Sequence, residues 1–487
     1  MKNSKIVALV ATAALLVIGA AFTSMAATYN WYQVDGIWHC KDKNGDDITQ
    51  DLAKSGADYY YLDENGEMVT GALIEIDDDK YYFDEDGKMV KNDWRKVEND
   101  DDEGDEYYWY YFQNSGKAKK NTAKPVSING KKYMFDEDAK MQYGWLGSTK
   151  DDDYAWQDAV YYAGDADDGA VKTGWQKIDV LDDDSTLDFE EQTYWFWFGT
   201  NGQKFAAKDE KLAEKPINGK KYVFDAKGVM KAEWEQSASQ ATAASASISS
   251  YYWFQDAETG AKLKKGWFRV VPKDLVNPKD NEEETVHWYY AKGDGTLYEN
   301  VVKTINGKKY AFNEKGEMLA GLYEMDIDNG ELEDYVAIDS EALVSKVTAA
   351  GASPSEIYFF GDEETDGSMK YGTVNTEIDG DEYTFLFNST GSKKGQAVNG
   401  LKGNAWYVNG AKVKADADMK YEVFEATFEG TGSATKVKTV GKKVAGAAGD
   451  NVLISSSGSI VKNGTKKNAD DIKIKVTNYK VTGWDVE

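Results

Sequence analysis

Apolar and polar positions alternate in short bursts along this chain, and the bursts recur. In "SINGKKYMF" a short strand, the pair Asn129-Gly130 and a second strand follow one another. Asn-Gly accepts the positive φ angles of a type I′ turn, so the segment predicts a β-hairpin. Alternation in "KKYMF" puts Tyr133 and Phe135 on one face and Met134 on the other. A second turn follows ("DEDA" here, "DAKG" and "NEKG" elsewhere), and Met141, Met230 and Met318 then begin the next strand.

"INGKKY" occurs from Ile128, Ile217 and Ile305, at separations of 89 and 88 residues. The aromatic second half recurs more widely: "YYYLDENGEMVTG" from Tyr59, "KYYFDEDGKMVKNDW" from Lys80, "YYFQNSGKAKKN" from Tyr110, "VYYAGDADDGAVKTGW" from Val160, "FWFGTNGQKF" from Phe196, "YYWFQDAETGAKLKKGW" from Tyr251, "WYYAKGDGTLYEN" from Trp288 and "IYFFGDEETDGSMKYG" from Ile357. Each carries aromatics, a polar turn with Gly, and a strand that often closes on Gly-Trp. Units of about 20 residues cannot bury an aromatic face alone and must stack on neighbours, which is the logic of a solenoid. The predicted fold is all-β: a β-hairpin repeat solenoid over 28–420, with acidic loop insertions and a small all-β C-terminal tail over 421–487.

The insertions begin at Glu98 ("ENDDDEGDE"), Asp179 ("DVLDDDSTLDFEE") and Asn277 ("NPKDNEEETV"), and read as solvated loops. A Ser/Ala-rich stretch starts at Ser237. "DSEALVSKVTAAG" predicts one short helix with Asp339 or Ser340 as N-cap and Gly351 just past its end. "VLISSSGSIVKN" from Val452 echoes the repeat inside the tail.

Composition sharpens this picture. Aromatics make up 13% of the chain with only five prolines, so many small aromatic-stapled units fit better than one large core. Lys2 and Lys5 precede an apolar run from Ile6 to Phe22 and small residues at Ser24 and Ala26, which reads as a secretory signal peptide over 1–27. The run is short and alanine-rich for a membrane span, a retained signal anchor being the alternative. The reading is therefore a secreted protein of the cell wall or cell surface, with no membrane span after signal cleavage. A net charge of −28 excludes nucleic acid as a partner, because phosphates demand a basic footprint. Any anionic polymer must be gripped through an uncharged or cationic group.

Catalytic and metal motifs are missing from the sequence. The two histidines, His39 and His287, lie far apart, and no HExxH, GxSxG or P-loop occurs. His39 and the single cysteine, Cys40, are neighbours that a strand would point to opposite faces, so they make no dyad. "DKNGDDITQD" from Asp42 imitates a calcium loop, but Asp47 replaces the sixth-position glycine and Ala53 the final acid. It reads as a hairpin turn. No enzyme activity, cofactor or metal is expected.

The aromatic-turn-glycine grammar resembles the cell-wall-binding repeats of Gram-positive secreted proteins, the choline-binding and glucan-binding family. The "INGKKYxF" variant is similar to the combined repeats of large clostridial toxins. The resemblance covers roughly residues 29–420. It implies sites between successive hairpins, where aromatics and often a methionine enclose a quaternary ammonium by cation–π attraction, or stack on sugars. By motif the Gly-Trp positions are Trp145, Trp175 and Trp267, with Trp94 and Trp234 in the same place without the glycine. Trp288, Tyr133, Tyr162, Tyr222, Tyr252, Tyr290 and Tyr310 would stand beside them. Aromatics at this spacing also build a solenoid's core, so packing competes with ligand contact at each position. Where choline-type repeats favour Trp-Tyr-Tyr, three copies here have Lys-Lys-Tyr. That removes walls and leaves saccharide or structural roles open there, and His287-Trp288-Tyr289-Tyr290 comes nearest the full set. The implied function is non-enzymatic binding of bacterial cell-wall polymer, through teichoic acid choline or polysaccharide. An adhesin for host or dietary glycans, or a structural spacer, are the alternatives.

Overall fold

The computed structural model describes residues 29–99, 104–120, 122–150, 152–182, 190–208, 211–236, 247–445 and 450–486. The leader, most of the Ser/Ala-rich stretch and the centres of the first two acidic insertions lie outside these residues. The chain forms two compact units: residues 1–215 with 223–231, and residues 216–222 with 232–487.

The first unit is a succession of antiparallel hairpins. Asn30–Val34 pairs with Ile37–Lys41, Asp51–Ser55 with Asp58–Leu62, Ala72–Ile76 with Asp79–Phe83, and Asp93–Glu98 with Tyr107–Phe112. Val126–Ile128 with Lys131–Tyr133, Trp145–Leu146 with Tyr161–Tyr162, and Gly174–Asp182 with Glu190–Phe198 continue the series. The Asn-Gly turn is as expected: Asn129 and Gly130 both have positive φ, 50° and 83°.

Five aromatic strands of this unit end in a second turn that folds back through an isolated bridge six residues on: Leu62 with Met68, Phe83 with Met89, Phe112 with Ala118, Phe135 with Met141 and Phe198 with Lys204. The aspartates of these turns are structural. Asp63 Oδ1 accepts from the amides of Asn65 and Glu67, and Asp84 Oδ1 from those of Asp86 and Lys88. The bridging residue then donates its amide to the preceding hairpin. Met68 bonds Trp38 O, Met89 bonds Tyr59 O, Ala118 bonds Lys80 O and Met141 bonds Trp109 O, each at 2.8 Å. One such rung per step is what joins hairpin to hairpin.

The turn glycines explain the methionines. A Cβ on Gly87 would lie 2.8 Å from Met68 Cε, and one on Gly116 would lie 2.5 Å from Met89 Sδ. The methionine of one repeat fills the space that the next repeat's glycine leaves.

The second unit begins with hairpins Trp234–Gln236 with Tyr251–Trp253 and Gly266–Val270 with His287–Ala291. From Val301 the hairpins merge into wider sheets. Val301–Ile305 and Lys308–Phe312 join Gly321–Asp328, Glu331–Ala337 and Ile357–Phe360 in one five-stranded sheet; residues 372–412 make a second. The tail forms two three-stranded sheets, Lys436–Val444, Tyr421–Glu429 and Asn451–Ser455, then Gly464–Lys467, Ile472–Thr477 and Lys480–Val486. The expected helix is Glu341–Thr348 with Ser340 as its N-cap. The third acidic insertion departs from the solvated loop expected of it. It folds as a short helix, Pro278–Glu282, because Pro278 presets the first turn and Asn277 is drawn inside, 3% exposed. Among the described residues no helix is long and apolar enough to cross a membrane.

Candidate functional site

The hairpin Asp93–Glu98 with Tyr107–Phe112 places Trp94 opposite Tyr111 and Lys96 opposite Trp109. Period-two alternation therefore puts Trp94, Trp109 and Tyr111 on one face. The next hairpin contributes Tyr133 and Phe135, and Met141 follows its turn. Around Trp94 the ring centroids lie at 6.5 Å for Trp109, 5.2 Å for Tyr111, 4.8 Å for Tyr133 and 5.7 Å for Phe135. Phe135 is stacked and buried, a floor, whereas Trp109 and Tyr133 meet Trp94 edge-on as half-buried walls.

Trp267 repeats this arrangement in the second unit. Trp288 lies at 6.2 Å, Tyr290 at 5.1 Å, Tyr310 at 4.8 Å and stacked Phe312 at 5.8 Å. Met318 donates its amide to Trp288 O at 2.8 Å, as Met141 does to Trp109 O. Trp175 is the third case, with Trp195 at 6.1 Å, Trp197 at 5.3 Å and stacked Phe224 at 5.8 Å.

The fourth lies at the N-terminus. Trp31 stands opposite Cys40, Trp38 opposite Gln33, and Tyr60 meets Trp31 edge-on at 5.2 Å. Met68 bonds Trp38 O, so Trp31, Trp38, Tyr60 and Met68 match Trp94, Trp109, Tyr133 and Met141 one for one. Here Cys40 and Leu62 replace the aromatic floor, and a pocket of about 40 Å³ opens, lined by Trp31, Trp38, Ser55, Tyr60, Met68 and Asp86. Three aromatic faces and a polarisable thioether around a small gap suit a quaternary ammonium. Such a cation gains roughly 0.5–2 kcal/mol per site from the rings.

An acid borders three of these boxes. Asp167 pairs with Lys96 at 3.3 Å and accepts from Trp109 Nε1 at 3.3 Å; that indole bond first, then Lys96, holds its carboxyl below the usual carboxylate range. In the second unit Arg269, opposite Trp288, grips Glu364 by donating from both terminal guanidinium nitrogens, Nη1 and Nη2. At the N-terminal box, the first along the chain, the strand position of Lys96 and Arg269 is Gln33, and among the described residues Asp86 is paired with Lys88 alone, at 4.0 Å. Its charge is the least neutralised of the three.

The expected site residues separate into two groups. Trp94 joins Tyr133; Trp175 centres its own cluster; Trp267 joins Trp288, Tyr290 and Tyr310. Trp145 and Tyr162 instead pack together at 4.7 Å against Phe196 and Phe198, with the Lys204 ammonium 5.4 Å over the Trp145 ring. Lys204 donates to the carbonyls of Trp156 and Gln157, which hold its ammonium over that ring. Trp234 is 9% exposed, its Nε1 donating to Val271 O, and belongs to the core. Tyr252 lies under Lys262 at 3.1 Å, and Tyr222 is half-buried. Two of the three Lys-Lys-Tyr hairpins, those of Tyr133 and Tyr310, do not lose their walls. Their single tyrosine closes a box whose tryptophans come from the hairpin before. His287-Trp288-Tyr289-Tyr290 divides by alternation: Tyr289 faces the opposite side and is fully buried.

Sequence reasoning missed Trp31, Trp38, Tyr60, Trp109, Trp195 and Trp197. A signal existed: "WHC", "WYY" at Trp109 and Trp288, and "WFW" all set a Trp two residues before the inward side chain of the second strand. The Gly-Trp criterion passed over Trp31, which Asn30 precedes. Asp42 heads a turn, its Oδ1 accepting from the amides of Asn44 and Asp46. His39 stacks on Tyr32, and burial pushes the Cys40 thiol up to about 11.

Residues 31–94 match the choline-binding repeat family. A stretch of 105 residues is 30% identical to glucosyltransferase-S of Streptococcus mutans, covering 22% of this chain and 7% of that enzyme. Among solved structures, the modular autolysin LytC from Streptococcus pneumoniae aligns at 17% identity and a TM-score of 0.35, over 61% of this chain and 54% of that one. Choline binding protein F from the same organism aligns at 16% identity and a TM-score of 0.26, over 74% and 98%. Over residues 31–94 the chain thus matches a choline-binding repeat, as its aromatic-turn-glycine grammar indicated.

Proposed function

We propose that this chain is a non-enzymatic, secreted surface protein that attaches to choline-bearing cell-wall polymer through the four aromatic boxes. The first box carries the reading. Trp31, Trp38, Tyr60 and Met68 enclose an open pocket inside the matched segment, with Asp86 at its edge. A trimethylammonium group there meets aromatic faces and a carboxylate weakly held by its neighbour. The strongly acidic chain then reaches an anionic polymer through that polymer's cation, which removes the electrostatic objection to binding. The leader over 1–27 would be cleaved, leaving the array over 28–420 and the tail over 421–487.

A second reading follows from the boxes centred on Trp94 and Trp267. Lys96 with Asp167 and Arg269 with Glu364 set hydrogen-bonding groups beside aromatic faces at charge balance. That combination suits a neutral sugar ring, and favours a wall polysaccharide or a host or dietary glycan at these two sites.

The test is co-sedimentation of the protein with purified Gram-positive cell walls, before and after chemical removal of teichoic acids, with and without excess choline. Pelleting that choline and teichoic acid removal both abolish, and that Trp31→Ala weakens, is the expected result. Pelleting indifferent to both moves the function to saccharide. No pelleting overturns wall attachment and leaves glycan adhesion or a spacer.

A further inference from the structure

We propose that the second unit carries a divalent-cation site of the zinc or manganese class, formed by His287, Asp280 and Glu317. It lies on the side of strand His287–Ala291 turned away from Trp267. His287 and Tyr289 share that side, while Trp288 and Tyr290 face the aromatic box.

One ligand atom from each of the three residues falls within 4.8 Å of the others. His287 Nε2 is 2.9 Å from Asp280 Oδ2. Glu317, 6% exposed, is held by the amides of Asn277 at 2.7 Å and Asn313 at 2.8 Å. Glu363 Oε1 sits 3.6 Å from His287 Nδ1, beyond hydrogen-bond reach, and has no other partner although the atom is buried. Three carboxylates therefore surround one imidazole. Even with that imidazole protonated the carboxylates outnumber it, and Arg269, whose guanidinium is paired with Glu364, acts on Glu363 only through space. Lys315 acts on Asp280 only through space.

A separate observation points into the same cluster. Tyr289 is fully buried and its hydroxyl has no hydrogen-bond partner. Tyr289 stands two residues along from His287 on the same side of the strand His287–Ala291.

The donor set selects the ion. One imidazole nitrogen with carboxylate oxygens suits Zn²⁺ or Mn²⁺, whereas Ca²⁺ prefers oxygen alone. With Nε2 on the metal, Nδ1–H turns toward Glu363, the carboxylate–histidine–metal arrangement that fixes ring orientation. The ion would tie helix Pro278–Glu282, the strand bearing Trp288 and Tyr290, and the turn just before Met318. The third acidic insertion then has a purpose beyond solubility.

The experiment is Zn²⁺ and Mn²⁺ titration of the EDTA-stripped full chain by calorimetry, with melting temperature followed in parallel. Saturable binding and a higher melting temperature are expected. His287→Gln and Glu317→Gln should abolish both, and Glu363→Gln should weaken binding roughly 10–100-fold. Far-UV circular dichroism checks that each variant folds; because Glu363 lies at the edge, its variant reports on the site even if a central one unfolds. No saturable binding, or binding that Glu363→Gln and His287→Gln leave unchanged, would overturn the proposal and assign any metal uptake to the exposed acidic turns.

Discussion

Two glycines with the same backbone angle separate the contributions that hold the repeats together. Gly116 and Gly130 both sit at φ +83°. A Cβ at Gly130 meets nothing within 4 Å, so Gly130→Ala suffers only the left-handed backbone, roughly 1–2 kcal/mol. A Cβ at Gly116 would lie 2.5 Å from Met89 Sδ, 2.7 Å from Cε and 3.0 Å from Cγ. Overpacking of that kind adds roughly 1–3 kcal/mol, toward the low end because a thioether chain can turn aside. Gly116→Ala should therefore exceed Gly130→Ala by about 1 kcal/mol or more.

Array stability is partly local, so native-state hydrogen exchange at the rung amides is the suitable assay. Ala118 N–H, bonded to Lys80 O, reports on Gly116; Val171 N–H, bonded to Lys132 O, reports on Gly130. A difference of 1 kcal/mol appears as about fivefold faster exchange. Adding Met89→Ala to Gly116→Ala should recover the excess as a coupling of about 1 kcal/mol. Equal effects of the two glycine variants, or no coupling to Met89, would refute the view that methionine and glycine are complementary halves of one joint.

Other outcomes follow from the placement of single side chains. Trp234→Ala should destabilise the protein by roughly 3–5 kcal/mol, since Trp234 is core; Trp31→Ala, at a half-buried wall, should cost less stability and instead remove one calorimetric equivalent of choline. Burial holds the Lys204 ammonium down to about 8 from the ordinary 10.5. The unfolded chain keeps that proton to a higher pH, so this group's contribution to stability rises between pH 8 and 10.5. The wild-type minus Lys204→Met difference in unfolding free energy should climb across that window, and a flat difference refutes the buried ammonium. Cys40, 1% exposed with its thiol pushed up to about 11, should resist alkylation at pH 8 until denaturant is added, as mass spectrometry would show.

What could be read from the sequence was what one hairpin decides for itself. Asn129-Gly130 dictates a type I′ turn whatever surrounds it, and the alternation of Tyr133 and Phe135 follows from the strand alone. The box is not local in that sense. Tyr133 closes a site whose other walls, Trp94 and Trp109, lie on the preceding hairpin, so counting aromatics within "KKY" understates the walls it serves. The same limit explains why Trp94 and Trp145, alike in sequence position, part company in space. After Trp94 the next hairpin follows and brings Tyr133 and Phe135 against it. After Trp145 the chain inserts the helix Ala155–Asp158, which buries Trp156 and offers carbonyls that anchor Lys204 over the Trp145 ring. Whether a tryptophan of this repeat becomes a binding wall or a core residue is therefore decided by what the following fifty residues bring against it. The acidic insertion after Trp267 shows the same rule from the other side. Its Asp280 and Asn277 meet His287 and Glu317 on the reverse face of the very strand that carries Trp288, so the segment that read as mere solvent-facing charge instead helps to fix a wall of the box.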